Sequence, residues 1–209
     1  VRYYVMGDRS ITEQPTAEEQ AQIVKIVGDS VRAGAAGFST NRFLGHYMPD
    51  GRHVPGTHAL HEEVEAIAAE VGAAGGLMQN VLNLGGNFEG EAELLRKEAK
   101  AANGRILFSI TAGAKDSSGQ RVKNLLEELN ADGLDVSAIS VPRGTGFITG
   151  LQCGFPWKSD AWHQLADMDL AARLVAINDT AFCEKLVTEA SEKPGLPPEE
   201  LFWMGTESQ

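Results

Sequence analysis

The sequence predicts a parallel α/β fold, and three features carry that reading. Amphipathic helical stripes and short apolar runs follow one another in turn. Glycines close the helices, and a long polar loop follows the first short strand. Strands fall near residues 38, 79, 108 and 138, each pair separated by one helix. That alternation implies strands paired in parallel through right-handed crossovers.

The chain opens at Val1 directly into the apolar segment RYYVM, with no capped element before it, which reads as a start inside a longer protein. Thr16 to Ala33 is the first predicted helix: Thr16 and Glu19 have capping-box spacing, and Ile23, Ile26, Val27 and Val31 share one face. Gly34 closes it. A short strand over Gly37 to Thr40 leads into a loop rich in Gly, Pro, His and Arg. Leu60, Val64, Ile67, Ala68 and Val71 mark the second helix, closed by Gly72 and Gly75. A buried strand follows from Leu77 to Leu82. Leu94, Leu95, Ala99 and Ala102 mark the third helix, stopped by Asn103 and Gly104, and Arg105 to Thr111 is the next strand. Val122, Leu125, Leu126 and Leu129 form the fourth helix, and Asp135 to Val141 the fourth strand, stopped by Pro142. After Gly150 the alternation ends. Ser159–His163, Leu170–Asn178 and Ala181–Glu192 read as short helices before a proline-punctuated tail. The division is therefore a β/α part over residues 1–150 and a helical segment over 151–209.

Four strands make half of an eight-stranded (β/α) barrel, with a complete doubly wound sheet as the alternative. Neither a G-x-x-x-x-G-K-[ST] loop nor a G-x-G-x-x-G turn after a strand supports a nucleotide site. Composition narrows the partners. A net charge of −11 argues against nucleic acid and anionic membranes, which Lys and Arg would have to meet. No apolar run is long enough to span a bilayer, and no signal peptide is visible. Cys153 and Cys183 form no C-x-x-C pair and no disulfide framework, so a reducing, cytoplasmic setting is the default.

The order of blocks Y-V-M-G-D-R, G-F-S-T, D-G-R-x-V-P-G-T, N-A-D-G-L-D-V and L-F-W-M-G resembles the N-acyl-D-amino-acid deacylases (D-aminoacylases) of the amidohydrolase superfamily. The resemblance implies part of a TIM-type barrel that cleaves the amide bond of an N-acyl amino acid with metal-activated water, zinc being the expected cofactor. It also implies an H-x-H-x-D pair on a first strand, single histidines on two middle strands and a late aspartate. The early elements are not in this sequence. The first middle position is occupied by Val81, or by Asn80 with a one-residue slip, and the second by Ile110. Valine and isoleucine have no lone pair for a metal, so no metal ligand and no catalytic residue is assigned.

What the strand ends offer is hydrogen bonding, from Gln79, Asn80, Asn83, Ser109 and Thr111. Asn80 and Ser109 are the substrate-binding candidates among them. The third is Arg143, which follows Pro142 at the barrel mouth and could clamp a substrate carboxylate. Arg42, Lys115 and Asp116 are weaker candidates. His46, His53, His58 and His61 cluster before a glutamate-rich helix, but they match no zinc spacing. Nucleophilic triads are set aside, since no G-x-S-x-G elbow occurs. Asp167, Asp169 and Asp179 read as helix caps and solvated faces. The expectation is a hydrolase of N-acyl amino acids. The alternatives are a relative that keeps the barrel without metal chemistry as a small-molecule binder, or an unrelated α/β binding module.

Overall fold

The computed structural model describes residues 1–110, 118–140, 150–157 and 159–192. They fall into two compact units, 1–143 and 144–209.

The first unit begins with α1 (Arg2–Met6) and a 3-10 turn (Gly7–Ile11), where the sequence shows only an uncapped apolar run. The helix is fixed by Arg2, a charged residue that is buried. Its guanidinium pairs with Glu63 and donates to the carbonyls of Ser10, at 2.9 Å, and Glu13, at 2.6 Å. Periodicity could not show it, because the anchor is an ion pair across 61 residues.

Then α2 (Ala17–Arg32) starts on the expected capping box, with Glu19 N–H donating to Thr16 Oγ1 at 3.2 Å and Thr16 N–H to Glu19 Oε2 at 2.9 Å. Strand and helix alternate through β1 (Gly37–Asn41), α3 (His61–Ala73), β2 (Leu77–Val81), α4 (Phe88–Ala101), β3 (Ile106–Ile110), α5 (Ser118–Ala131) and β4 (Val136–Ser140). Glycine sets two of the tight points. Gly75 turns the chain out of α3 with φ 79°, and a Cβ on Gly72 would sit 2.2 Å from the Ala102 carbonyl oxygen, where α3 meets the end of α4.

The sheet is parallel in the order β1-β2-β3-β4. A doubly wound sheet reverses direction at a switch point. Here every crossover steps the same way, so all the helices cover one face, as in a (β/α) barrel. Residues from α2 through α5 share one core with Met78, Ile106, Phe108 and Val136 of the strands. The doubly wound alternative is thereby excluded for the described strands.

The second unit holds α6 (Asp160–Ala166), α7 (Leu170–Ala176) and α8 (Thr180–Glu192) around a small core of Phe155, Ala161, Leu165 and Leu186. Trp162 donates to the Leu186 carbonyl at 3.0 Å. The Arg173 guanidinium gathers the carbonyls of Leu151, at 2.7 Å, Leu165, at 3.0 Å, and Ala166, at 2.5 Å. Asp169 and Asp179 are caps, accepting from Ala172 and Phe182 N–H at 2.8 Å each. Among the described residues no helix is long and apolar enough to cross a membrane.

Candidate active site at the open face of the sheet

Because successive side chains of a strand alternate, the register fixes which residues look away from the helices. One row runs Ser39, Gln79, Leu107 and Ser137. The next, one step toward the C-terminal strand ends, runs Asn41, Val81, Ser109 and Ile139. The centre of this face is a polar chain across three strands. Ser39 Oγ donates to Gln79 Oε1, and Gln79 Nε2 donates to Ser109 Oγ at 3.1 Å and to the Asn80 carbonyl at 3.0 Å. The Ser109 hydroxyl hydrogen has no acceptor among the described residues. Ser109 therefore stands ready to donate to a ligand oxygen at the strand ends.

Beside this chain, the loop leaving β1 carries a second polar pair. His46 Nδ1 lies 2.6 Å from Asn41 Oδ1, and the Phe43 ring stands edge-on to the imidazole at 5.2 Å. Asn41 Nδ2 donates to the Phe43 carbonyl at 3.2 Å. A cavity of about 420 Å³ adjoins the pair, lined among others by Ser39, Asn41, His46, Val81 and the apolar Phe38 and Ile67. Its volume falls in the range of small-molecule sites.

Of the three substrate-binding candidates, Ser109 lies on the open face. Asn80 does not. It is fully buried on the helix side, where its Nδ2 donates to the equally buried Glu98 of α4. Burial pushes the Glu98 carboxyl up to about 8, against the smaller pull of the Asn80 hydrogen bond and the Arg42 charge. Arg143 lies outside the described residues, as do Lys115, Asp116 and Thr111. Arg42 is consumed by structure: its guanidinium forks onto Glu91 of α4 at 3.0–3.1 Å and donates to the Ala59 carbonyl.

The four histidines do not gather at one point, although His53 and His58 meet. Since α3 begins at His61, His58 precedes it, and the two share no helical face. His58 Nε2 instead meets His53 Nδ1 at 2.8 Å, with Tyr47 against the His53 ring at 4.8 Å. Ser39 and Asn41 are the site residues that sequence reasoning missed. Their signal is the register of β1 against β2, which periodicity over five residues does not supply.

The metal that the barrel type implies can be tested against these donors. Ile110 packs on the helix core, so the second middle-strand position facing the open side is Ser109 rather than Ile110. The first is Val81. Hydroxyl, carboxamide and aliphatic side chains make a poor set for a transition metal. Among the described residues no group of three or more His, Cys, Asp or Glu is placed to hold one. The described part of this face does not fit a metal centre.

The sheet order, the one-sided helices and the polar C-terminal edge define a stretch of (β/α) barrel. No protein-family model matches the sequence, and no curated protein matches it. Solved structures of D-aminoacylase share the fold. A D-aminoacylase mutant in complex with copper chloride superposes with a TM-score of 0.54 at 20% identity, over 68% of this chain and 28% of that one. A second, concerned with the functional role of the binuclear metal centre in D-aminoacylase, gives 0.55 at 20% identity over the same shares, 68% and 28%. The third is the D-aminoacylase crystal structure that defined a novel subset of amidohydrolases, also 0.55 at 20% identity over 68% and 28%. The matched region spans little more than a quarter of the D-aminoacylase chain. The likeness shows a fold shared with part of the D-aminoacylase structures.

Proposed function

We propose that this chain is the substrate-holding part of an amidohydrolase-type enzyme that cleaves the amide bond of small N-acyl amino acids. The observation that carries the reading is the Ser39–Gln79–Ser109 chain on the open face of a D-aminoacylase-like sheet. A secondary amide with a carboxylate offers acceptors for the Ser109 hydroxyl, and its N–H is a donor for Gln79 Oε1, which holds a lone pair beyond the bond from Ser39. Asn41 and Ser109 sit where a barrel places its chemistry, at the C-terminal strand ends. Arg143, three residues after β4 in the sequence, is the proposed partner of the substrate carboxylate. Zinc-assisted chemistry would need ligands from outside the described strands.

A second reading is favoured by Val81 and Ser109 at the two middle-strand positions. In it the protein binds the same ligands without hydrolysing them. One pair of experiments separates the two. The intact protein is given N-acetyl-D- and N-acetyl-L-amino acids, with and without added divalent metal, and release of the free amine is followed. Binding of the same compounds is measured by calorimetry. Amine release supports the hydrolase, and binding without release supports the second reading. Neither binding nor release removes both.

A further inference from the structure

We propose that His46 is the proton-transfer residue of this site and that Asn41 is its positioning residue; the proposal rests on the amide-hydrolase reading above. The partners of the Asn41 amide allow it to face only one way. Its Nδ2 donates to the Phe43 carbonyl at 3.2 Å and reaches Thr57 Oγ1 at 3.5 Å. Thr57 Oγ1 already gives its own hydrogen to the Val54 carbonyl at 2.8 Å, so toward Asn41 it can only accept. Both partners of Nδ2 are therefore acceptors, and the other atom of the amide must be the oxygen. An amide oxygen only accepts. The atom facing it at 2.6 Å, His46 Nδ1, must then carry a hydrogen.

The consequence is a fixed tautomer. In the neutral ring Nδ1–H leaves Nε2 with its lone pair, the form a proton acceptor needs. The Phe43 ring, edge-on at 84°, adds a second restraint on the imidazole plane. Orientation by a neighbouring side chain at one ring nitrogen, with the other left for the reaction, is how histidine bases are held in place generally.

Among the described residues, His46 is the group left to do this. The other titratable side chains lining the same cavity among them are Arg2, Glu63 and Tyr3. Arg2 and Glu63 neutralise one another in a buried ion pair, and Tyr3 donates to Asp8 at 3.3 Å. His46 is exposed, so its free nitrogen is open to ligand and water. The step balances without any co-reactant beyond water. Nε2 takes a proton from the water whose oxygen bonds to the amide carbonyl carbon. The carbon–nitrogen bond then breaks, and the imidazolium returns that proton to the departing nitrogen. One amide and one water give one carboxylic acid and one amine.

The test reads the tautomer before it reads activity. Long-range proton–nitrogen spectra of the ¹⁵N-labelled intact protein should show His46 protonated at Nδ1 and bare at Nε2. A His46 ring protonated at Nε2, or averaging between forms, overturns the proposal whatever the enzyme does. His46→Gln should keep the fold, since the side chain is exposed, and lower amine release on the order of 10²–10⁴-fold. Asn41→Leu should abolish the single tautomer. Asn41→Asp should restore it and move the acidic limb of the pH–rate profile upward, because a carboxylate holds the imidazole proton more tightly. Full activity in His46→Gln overturns the proposal and leaves the hydrolase reading intact. No amine release from the unaltered protein removes the hydrolase reading, and the proton-transfer role falls with it.

Discussion

The two faces of one sheet differ in burial and in chemistry. On the helix side, Met78, Asn80 and Phe108 are fully buried, and the polar member is matched by a buried acid from α4. On the other side, offset by a single residue, lie Leu77, Gln79, Val81, Leu107 and Ser109. There a hydrogen-bonded polar centre is flanked by Leu77 and Ile139, at 39% and 53% exposure. Neighbours in sequence thus serve opposite purposes, one closing a core and the next presenting groups to a ligand. A slip of one residue exchanges those purposes along a whole strand.

Truncating two adjacent residues, one on each face, tests this difference most directly. Phe108→Ala removes a ring with no exposure from the middle of the core and should cost about 3–5 kcal/mol. Leu107→Ala, one position earlier on the open face, should cost clearly less, because water or ligand reaches the space it leaves. Urea unfolding of the two variants decides the matter. Equal costs would mean that the open face is packed as tightly as the other.

The buried Glu98 sharpens the contrast next. Asn80 Oδ1 and Glu98 Oε1 are both buried with no hydrogen-bond partner among the described residues. A protonated carboxyl would supply the donor that this pair lacks. The Glu98 carboxyl stands at about 8 in the folded protein, above its ordinary value of 4.5, chiefly because burial disfavours the charge. The folded state therefore holds a proton that the unfolded state has released. The stabilising effect of that proton is complete below pH 4.5 and is lost as the pH climbs through about 8. Glu98→Gln carries no charge to desolvate. Its stability should match the parent near pH 4 and exceed it above pH 8, by a difference on the order of a few kcal/mol. Parallel pH–stability curves for the two proteins would show that Glu98 is not the buried acid described here.

Most of this architecture was readable from local chemistry, and the failures have physical causes. Capping at Thr16, helical stripes at Ile23 to Val31 and Val122 to Leu129, and closing glycines mark the alternating helices from Ala17 onward near their true ends, because they act within a few residues. Parallel order follows from alternation. The face of a polar strand residue does not. In Leu77–Val81, the run LMQNV places two amides side by side, and only pairing with Ile106–Ile110 shows that Gln79 is open and Asn80 closed. The same offset separates Ser109 from Ile110. Arg2 was hidden for another reason, since its partner Glu63 is distant in sequence and a buried arginine mimics no apolar pattern. His46 stood in plain view, but Asn41, which gives it a defined tautomer, belongs to a strand end with no motif.

The smallest expected effect on stability carries the most weight for function. Gln79 joins Ser39 to Ser109 on a face that solvent reaches, so water can take over its hydrogen bonds when it is lost. Gln79→Leu keeps the size of the side chain and should change unfolding free energy by about 1 kcal/mol or less. Its effect on ligand should be larger. Without the carboxamide, the Ser39 and Ser109 hydroxyls lose their fixed directions, and the Gln79 Oε1 acceptor is lost as well. A loss of about 1.4 kcal/mol corresponds to tenfold weaker binding of an N-acetyl amino acid by calorimetry. Asn80→Leu on the opposite face should reverse the pattern, lowering stability by leaving Glu98 unpaired in the core while changing ligand affinity little. If instead both substitutions weaken binding equally, the open face is not the ligand face, and the division between the two sides of the sheet does not describe how this protein works.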